Sequence, residues 1–281
     1  MSNPAPLRTA EIIAVGSELL GSTRLDTNSL YISERLSTIG IELRSKTVAG
    51  DNRDLIAELC RHALARVDLV VVTGGLGPTD DDLTRDAIAA VVGLPLVEHA
   101  DLAELIAARF ARRGLKMPEI NRRQAQVIEG ATVLANPNGT APGQYLEHGD
   151  RVIVLLPGPP RELQPMLVAL CDGPLGARAA RERILRTSIF VTGRSESHVE
   201  EAAQPLYALW RAEAVPIETT ILARRDRSSC TSRSDPRIRP WASGGCRRPR
   251  GRSCRRSARM SSVRMAAAWR SSSARCCGSG R

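Results

Sequence analysis

The sequence has 281 residues, of which 42% are hydrophobic and 25% are charged, and its formal net charge is +10. No stretch approaches the roughly 18 uncharged apolar residues of a transmembrane helix. The start also lacks the charged segment and long apolar core of a signal peptide. The composition therefore excludes a membrane span and predicts a cytoplasmic protein.

The positive charge is concentrated at one end of the sequence. Residues 226–281 contain 15 arginines and two acids, whereas the first 225 residues contain 25 basic and 28 acidic groups. The first 225 residues are therefore not predicted to bind nucleic acid, which requires an excess of basic side chains.

Apolar runs and helical spacings alternate along residues 8–172. A continuous β-branched run such as 68–73 is typical of a strand buried on both faces of a parallel sheet. Longer segments with apolar residues three and four positions apart, such as 54–66, predict helices. The alternation predicts an α/β fold, with a three-layer domain around a mostly parallel sheet. The predicted strands are 12–15, 41–48, 68–73, 132–135 and 151–156, and the predicted helices are 28–39, 54–66, 82–92, 102–113, 118–127 and 161–171.

The glycine- and proline-rich segment 173–176 predicts a domain boundary. A strand at 185–191, a helix at 196–210 and a strand at 217–223 predict the start of a smaller α+β module over 183–225. Residues 226–281 contain no Leu, Phe, Tyr, Glu, Gln, Asn, His or Lys. Because they can bury little apolar area, they are predicted to be disordered. Their composition favours a frameshifted reading of a GC-rich gene, and the alternative is an arginine-rich arm that binds nucleic acid or an anionic membrane.

Unusual residues follow the predicted strands, where open α/β sheets bind their ligands. The longest such segment is T-G-G-L-G-P-T-D-D-D-L-T at 73–84. Gly74, Gly75 and Gly77 allow backbone N–H groups to approach an anion, and the following helix directs its N-terminus toward it. A tight connection between strand and helix is the alternative explanation of these glycines.

Three adjacent carboxylates, those of Asp80, Asp81 and Asp82, stand beside this turn. Each could cap the following helix. Three together concentrate like charge, which a divalent cation (Mg²⁺, Mn²⁺ or Co²⁺) would relieve. The triplet therefore predicts a metal site beside a phosphate cradle, with capping alone as the alternative.

Two further loops follow later strands, N-P-N-G-T-A-P-G at 136–143 and L-P-G-P-P at 156–160. Gly139 and Thr140 offer backbone amides and a hydroxyl to a phosphate, although a loop with two prolines is also consistent with a rigid connection. Pro157 and Gly158 predict a stiff wall of the same pocket. Glu18, after the first strand, is a further candidate acid. The other candidate substrate-binding residues are Thr84, Arg85, Asn121, Gln124 and Asn138.

The set of motifs resembles the competence/damage-inducible protein A (CinA) family. The motifs G-S-E-L-L-G at 16–21 and D-T-N at 26–28 precede the three loops in the family's order, and the resemblance covers about residues 8–172. It implies the molybdopterin-binding fold shared with molybdenum-cofactor biosynthesis proteins. Residues 183–223 resemble the start of the family's small KH-like middle domain.

The resemblance implies a metal-dependent pyrophosphatase that hydrolyses ADP-ribose or a related nucleotide diphosphate. In that reaction the acidic triplet would hold the metal, with Asp80, Asp82 and Glu18 as catalytic residues. The glycine turn, Thr140 and Arg85 would bind the diphosphate. The family's nicotinamide mononucleotide amidase domain is not expected in this sequence, and its usual dimer is an open expectation because the middle domain is incomplete.

Three alternatives stay open at this point. The same loops would serve a binding module that holds a pterin-phosphate or a nucleotide without hydrolysing it. A nucleic-acid binder would work through the arginine-rich tail and the KH-like segment. The sequence is also consistent with the non-functional product of a truncated gene.

Overall fold

Strands and helices alternate along the first part of the chain, as predicted. The computed structural model describes residues 5–180, 185–211, 217–224 and 227–234. The chain divides into one unit over 1–181 and a second over 182–281. The strands of the first unit are β1 (Thr9–Val15), β2 (Glu42–Ala49), β3 (Leu69–Thr73), β4 (Leu96–Glu98), β5 (Gln126–Ile128), β6 (Thr132–Leu134), β7 (Gly143–His148) and β8 (Arg151–Leu156). Its helices are α1 (Asn28–Thr38), α2 (Arg53–Leu64), α3 (Thr84–Val92), α4 (Ala100–Ala111), α5 (Pro160–Asp172) and α6 (Pro174–Arg178).

The main sheet of the described residues has the strand order β2-β1-β3-β8-β7-β6. Strands β2, β1, β3 and β8 are parallel to one another, whereas β7 is antiparallel to both β8 and β6. The sheet is therefore mostly parallel, which confirms the predicted fold class. Because β1, β3 and β8 are neighbours with one direction, the loops that follow them lie at one edge of the sheet.

Both faces of this sheet are buried. Strand β3 shows it best, because all five of its residues are buried. Val70 and Val72 pack in a core that includes residues of α2 and α3. Leu69 and Val71 point to the opposite face, where residues of α1, α5 and α6 complete a second core. These two cores make the three layers that the alternation of strands and helices predicts.

Asp68 joins the starts of three neighbouring strands. Its Oδ2 accepts hydrogen bonds from the backbone N–H groups of Arg8 and Thr9, both at 3.0 Å, and from the Thr9 hydroxyl at 2.9 Å. Its Oδ1 accepts one from Nη1 of Arg151 at 2.6 Å. Burial works to raise the pKa of this carboxyl, but the donors outweigh burial and the pKa is lowered.

We expect Asp68→Asn to lower the free energy of unfolding at pH 7 by about 2 kcal/mol, the usual loss when hydrogen bonds to a charged group are removed. Because the pKa is lowered in the folded state, the ionised carboxyl stabilises the fold above its unfolded pKa of about 4. This contribution is lost as the pH falls through the folded value. Urea unfolding at pH 7 and pH 3 should therefore show a smaller difference between variant and wild type at pH 3. Glu129→Gln, at an exposed position, is the control, and an equal loss in both variants would contradict the role of Asp68.

The segment 118–127, predicted as a helix, is a 3-10 helix over Glu119–Ala125 followed by β5. Strand β5 pairs with β4, and its residues Val127 and Ile128 are buried. The predicted helix is wrong because Asn121–Gln124 offers no apolar residues at helical spacing, so burial of the following apolar pair decides the local structure. Strands β4, β5 and β7 were not predicted, and most of β5 fell inside the helix predicted over 118–127.

The first unit extends past residue 172, its predicted end. The segment 173–176 leads into the short helix α6, and Leu175 of that helix is fully buried in the core beside α1 and α5.

Among the described residues, no helix has both the length and the apolar character that crossing a membrane requires.

The second unit contains β9 (Leu185–Val191), α7 (Glu196–Arg211), β10 (Ile217–Arg224) and β11 (Arg227–Ser234). Strand β11 lies between β10 and β9 and is antiparallel to both. The positions of β9, α7 and β10 agree with those predicted for the α+β module.

Strand β11 differs from the disorder predicted for residues 226–281. Composition measures how much apolar surface a segment can bury, whereas β11 forms backbone pairs with strands on both sides. The segment 235–281, which holds most of the arginines of residues 226–281, lies outside the described residues. The frameshift and the arginine-rich arm therefore stay predictions.

Candidate functional site

A cavity of about 330 Å³ opens where β1, β3 and β8 end. Its walls come from the loops after these three strands and after β2, from the 3-10 helix before β5, from the loop before β7 and from the start of α5. The cavity therefore lies at the edge of the sheet where the sequence predicts a ligand site. Its lining residues are Val15, Gly16, Glu18, Asp51, Gly74, Gly75, Leu76, Gly77, Asp81, Asp82, Gln124, Thr140, Ala141, Pro157, Gly158, Pro159 and Glu162.

The glycine turn after β3 forms one wall of the cavity. Gly74 and Gly75 have φ angles of +97° and +63°, which other residues rarely adopt. The N–H of Gly74 donates to the carbonyl of Leu156 at 3.0 Å, and that of Gly77 donates to Oδ1 of Asp82 at 2.7 Å. Within the described part of the chain, the N–H groups of Gly75 and Leu76 have no acceptor. The amides that this turn can offer to an anion are therefore those of residues 75 and 76.

Thr84 and Arg85 hold the turn through its carbonyl groups. The Thr84 hydroxyl donates to the carbonyl of Gly74 at 2.8 Å. The two Nη atoms of Arg85 donate to the carbonyls of Leu76 and Gly77 at 2.6 and 2.8 Å. Neither residue lines the cavity, so the predicted phosphate contact of Arg85 is replaced by a contact with the turn itself.

Arg85 is only 2% exposed. Burial lowers the pKa of its guanidinium to about 10, although the neighbouring Asp82 and Asp86 act to raise it. The group therefore keeps its charge at neutral pH while it holds the turn.

Asp82 closes the turn by binding its backbone, and its side chain does not cap α3. Its Oδ1 accepts from the N–H of Gly77, and its Oδ2 accepts from the N–H and the hydroxyl of Thr79 at 2.9 and 2.6 Å. A Cβ atom at position 77 would lie 2.3 Å from Oδ2 of Asp82, so glycine is required there for this close approach. Both carboxylate oxygens of Asp82 are thus engaged by the protein.

Asp80 and Asp81 face different surroundings although they are adjacent in sequence. The side chain of Asp80 is fully exposed, and its Oδ1 accepts from Nη1 of Arg123 at 3.1 Å. Asp81 lines the cavity and has no ion pair within the described ranges. Hydrogen bonding lowers the pKa of the Asp81 carboxyl. Asp81 is itself an exposed residue, and of the triplet it is the one that lines the cavity without a cationic side chain in the described ranges to neutralise it.

Three more carboxylates line the cavity. Glu18, predicted from the sequence, lies in a 3-10 helix and is about half exposed. Asp51 and Glu162 were not predicted. Asp51 holds the turn after β1, since its Oδ2 accepts from the N–H of Ser17 at 2.8 Å. Glu162 lies at the start of α5 and is 8% exposed, and its Oε2 accepts from Nδ2 of Asn136 at 2.8 Å.

The loop before β7 brings Thr140 and Ala141 to the cavity. A Cβ atom at position 139 would lie 1.9 Å from Oε2 of Glu162, so a larger residue there would displace the Glu162 carboxylate. Asn138 lies outside the cavity, where its Nδ2 donates to the carbonyl of Arg161 at 2.7 Å. Of the predicted residues in this loop, only Thr140 reaches the cavity.

Of the remaining predicted residues, some line the cavity and one lies outside it. Gln124 lines the cavity, and its Oε1 accepts from Nδ2 of Asn121 at 3.0 Å. Asn121 therefore supports Gln124 from outside the cavity. Pro157 and Gly158 form the predicted wall, which Asn28 ties to α1 by donating to the carbonyl of Gly158 at 2.6 Å.

A second cavity of about 250 Å³ adjoins the first, and we call it the side cavity. Val15, Glu18, Gly158 and Pro159 line both cavities. The side cavity adds polar residues of the segment 24–28 before α1, among them Arg24. The two cavities together offer room for a ligand with two halves.

The predicted three-carboxylate metal site does not fit this geometry. Asp80 points to solvent and Asp82 is engaged by the loop, and the described ranges contain no group of three His, Cys, Asp or Glu side chains arranged to hold a metal. A Mg²⁺-type ion is often held by one or two carboxylates together with substrate phosphates. Asp81 is the member of the triplet that fits such a site.

The sequence that forms this site matches a known class of domain. A family model described as "Probable molybdopterin binding domain" matches residues 11–176, more than half of the chain, and the chain belongs to that family. Within it, the chain is 46% identical over 215 residues to a CinA-like protein of Solibacter usitatus, a match that covers 76% of this chain and 50% of that protein. A CinA-like protein of Deinococcus radiodurans is 46% identical over 198 residues, which are 68% of this chain and 48% of that protein.

A solved structure agrees with these relatives. The crystal structure of the protein CinA from Thermoplasma acidophilum, whose function is given as unknown, superposes with a TM-score of 0.55 at 32% identity and covers 58% of this chain and 97% of that one. The CinA resemblance is thereby confirmed. The chain spans about half the length of the two CinA-like relatives.

Proposed function

We propose that the cavity binds a phosphorylated nucleotide and hydrolyses its diphosphate bond, with ADP-ribose as the test substrate. The observation that carries the proposal is the meeting of two kinds of group in one cavity. Gly75 and Leu76 supply N–H groups without acceptors in the described part of the chain, and Asp81 supplies an ionised carboxylate. Amides bind phosphate oxygens, and a carboxylate beside them is suited to a cation that the phosphates also bind.

The side cavity favours a substrate with two halves. A pterin-phosphate has one phosphate at the end of the molecule, whereas ADP-ribose has a diphosphate between two ribosyl groups. The cavities are joined through Glu18 and Gly158. A diphosphate bound at the glycine turn would leave one half of such a substrate in the side cavity.

The residues of the cavity would then have separate tasks. The amides of residues 75 and 76 and the Thr140 hydroxyl would bind phosphoryl oxygens. Gln124, oriented by Asn121, would offer its amide group to the same ligand. Asp81 would hold a divalent cation, which when bound lowers the pKa of a water molecule and neutralises charge on the diphosphate. The wall at Pro157–Pro159 would keep the ligand against the glycine turn.

The direct test is incubation of the full chain with ADP-ribose and Mg²⁺, Mn²⁺ or Co²⁺, with AMP and ribose 5-phosphate as the expected products. Thr140→Val should weaken ADP-ribose binding about tenfold, since a hydrogen bond to a charged phosphate is worth at least 1.4 kcal/mol. Thr132→Val, at an exposed position of β6 outside the cavity, is the matched control. A folded wild-type chain that releases no AMP with any of the three metals would refute the proposal.

Binding without hydrolysis is the second candidate. The observation that favours it is the lack of a metal-holding group of three side chains among the described residues. It predicts that a pterin-phosphate or a nucleotide binds with the same Thr140 dependence while ADP-ribose stays intact. Equilibrium dialysis with both ligands, followed by chromatography of the ligand, separates the two candidates.

A further inference from the structure

The loop before β7 separates the candidate cavity from another cavity of about 560 Å³ beside α4. Thr140 lines both. The conformation of this loop therefore decides how Thr140 faces a ligand, and the contacts that fix the loop come from the α4 side.

Arg109, in the last turn of α4, binds three carbonyl groups of this loop. Its Nη1 donates to the carbonyl of Asn136 at 2.9 Å and to that of Gly139, and its Nη2 donates to that of Pro137. A guanidinium group is a planar fork with several N–H donors, so one side chain can fix several carbonyls at once. Arg109 thus engages three of the eight carbonyls of the loop 135–142.

Asn136 binds the amides of the same loop from within. Its Oδ1 accepts from the N–H groups of Asn138 and Gly139 at 3.0 and 2.7 Å. Its Nδ2 donates to the carbonyl of Ala141 and to Glu162, both at 2.8 Å. The N–H groups of residues 140 and 141 are left without acceptors in the described part of the chain, and both residues line the candidate cavity.

The glycine turn on the opposite wall is held in the same way. There Arg85 donates to two carbonyls of the turn. The backbone N–H groups of Gly75 and Leu76 in this turn are left without acceptors in the described residues. In both loops a guanidinium binds carbonyl groups, while neighbouring amides remain available to an anionic ligand. The repetition of this arrangement on two walls is the reason to assign Arg109 to the site.

We propose that Arg109 is a positioning residue of the candidate site. It binds the carbonyls of residues 136, 137 and 139, and so presents the amides of residues 140 and 141 and the Thr140 hydroxyl to a phosphate group. The proposal rests on the proposed function, because it assumes that the cavity receives a phosphorylated ligand. Arg109 lies outside the candidate cavity and does not touch the ligand.

The test compares Arg109→Met, Arg109→Lys and Arg112→Met in the full chain. Arg112 lines the same cavity beside α4 and makes no hydrogen bond to the loop among the described contacts. Hydrogen exchange is measured by mass spectrometry in a peptide that covers residues 136–143, and the Kd of inorganic pyrophosphate is measured by calorimetry. Thermal unfolding reports whether each variant is folded.

We expect Arg109→Met to speed exchange of the protected amides of residues 138 and 139 and to raise the pyrophosphate Kd about tenfold. Arg109→Lys should give intermediate values, because an ammonium group can reach fewer carbonyls. Arg112→Met should match the wild type in both measurements. For ADP-ribose hydrolysis, the change in Arg109→Met should lie mainly in KM, with a smaller change in kcat.

Two outcomes would overturn the assignment. Faster exchange with an unchanged pyrophosphate Kd would show that the loop order does not serve binding, and unchanged exchange would show that Arg109 does not hold the loop. If the wild type neither binds pyrophosphate nor hydrolyses ADP-ribose, the proposed function fails. Exchange in Arg109→Met then still decides whether Arg109 holds the loop.

Discussion

Gly74→Ala is expected to lower the free energy of unfolding by about 4 kcal/mol and to abolish ligand binding in the cavity. A Cβ atom at position 74 would lie 2.1 Å from the carbonyl oxygen of Val15, and the φ angle there is +97°. A strained backbone angle costs about 1–3 kcal/mol, and overpacking adds a similar amount. The clash is with backbone, so no side-chain rotation can relieve it.

A backbone shift that removes the clash with Val15 would also disrupt the site, because Gly74 is bound on both sides. Its N–H binds the carbonyl of Leu156, and its carbonyl accepts from the Thr84 hydroxyl. Moving the turn away from Val15 would strain both contacts, which join the end of β3 to the end of β8 and to the start of α3. The same shift would displace the amides of residues 75 and 76.

Gly149→Ala isolates the cost of a positive φ from the cost of the clash. Gly149 has a φ of +59°, and a Cβ atom there would meet nothing within 4 Å. We expect this variant to lose only about 1 kcal/mol and to keep its ligand binding. Urea unfolding of both variants measures the difference, and equal losses would show that the contact with Val15 does not matter.

Much of the first unit could be predicted because its strands have unmistakable patterns. The run at 68–73 is apolar throughout, and β3 is buried on both faces as that pattern requires. Strand β7 was missed because its residues Gly143–His148 do not alternate: the first four are buried and the last two exposed. Whether such a segment pairs depends on β8 and β6 beside it, which no local pattern reports.

The glycines in the sequence predicted the loops of the site, but they did not predict where each side chain of these loops would lie. The sequence shows that Asp80, Asp81 and Asp82 are adjacent, whereas in the fold Asp80 pairs with Arg123, Asp81 lines the cavity at an exposed position and Asp82 binds Thr79. Asp51 and Glu162 were missed for the opposite reason. Each is a single acid in an ordinary context, and only the fold brings it to the cavity.

The arginines of the site show the same limit. Arg85 was expected at a phosphate because it follows the acidic triplet, and it instead binds the carbonyls of the turn. Arg109 carried no signal, since it is one of three arginines in the predicted helix 102–113. Hydrogen bonds to backbone carbonyls leave no residue pattern, because every residue type has a carbonyl group.

Asp81→Asn is expected to lower kcat/KM for ADP-ribose about 100-fold, whereas Asp80→Asn should leave it within about twofold of the wild type. The two changes are chemically identical and occur at adjacent positions, so they separate the effect of the cavity from that of local charge. Both residues are exposed, but Asp81 lines the cavity, whereas Asp80 lies outside it and pairs with Arg123. Because the pKa of Asp81 is lowered, its carboxylate stays ionised down to pH 5, and it should cause no change in rate between pH 5 and pH 8.

The measurement is the initial rate of AMP release at several ADP-ribose and Mn²⁺ concentrations. If Asp81 holds the cation, Asp81→Asn should need more Mn²⁺ for half-maximal rate, and excess Mn²⁺ should restore part of the loss. Asp80→Asn should follow the wild-type curve, because an exposed ion pair contributes little. Equal losses in the two variants would instead mean that Asp80 and Asp81 act together. That result would contradict the assignment of the cation to Asp81 alone.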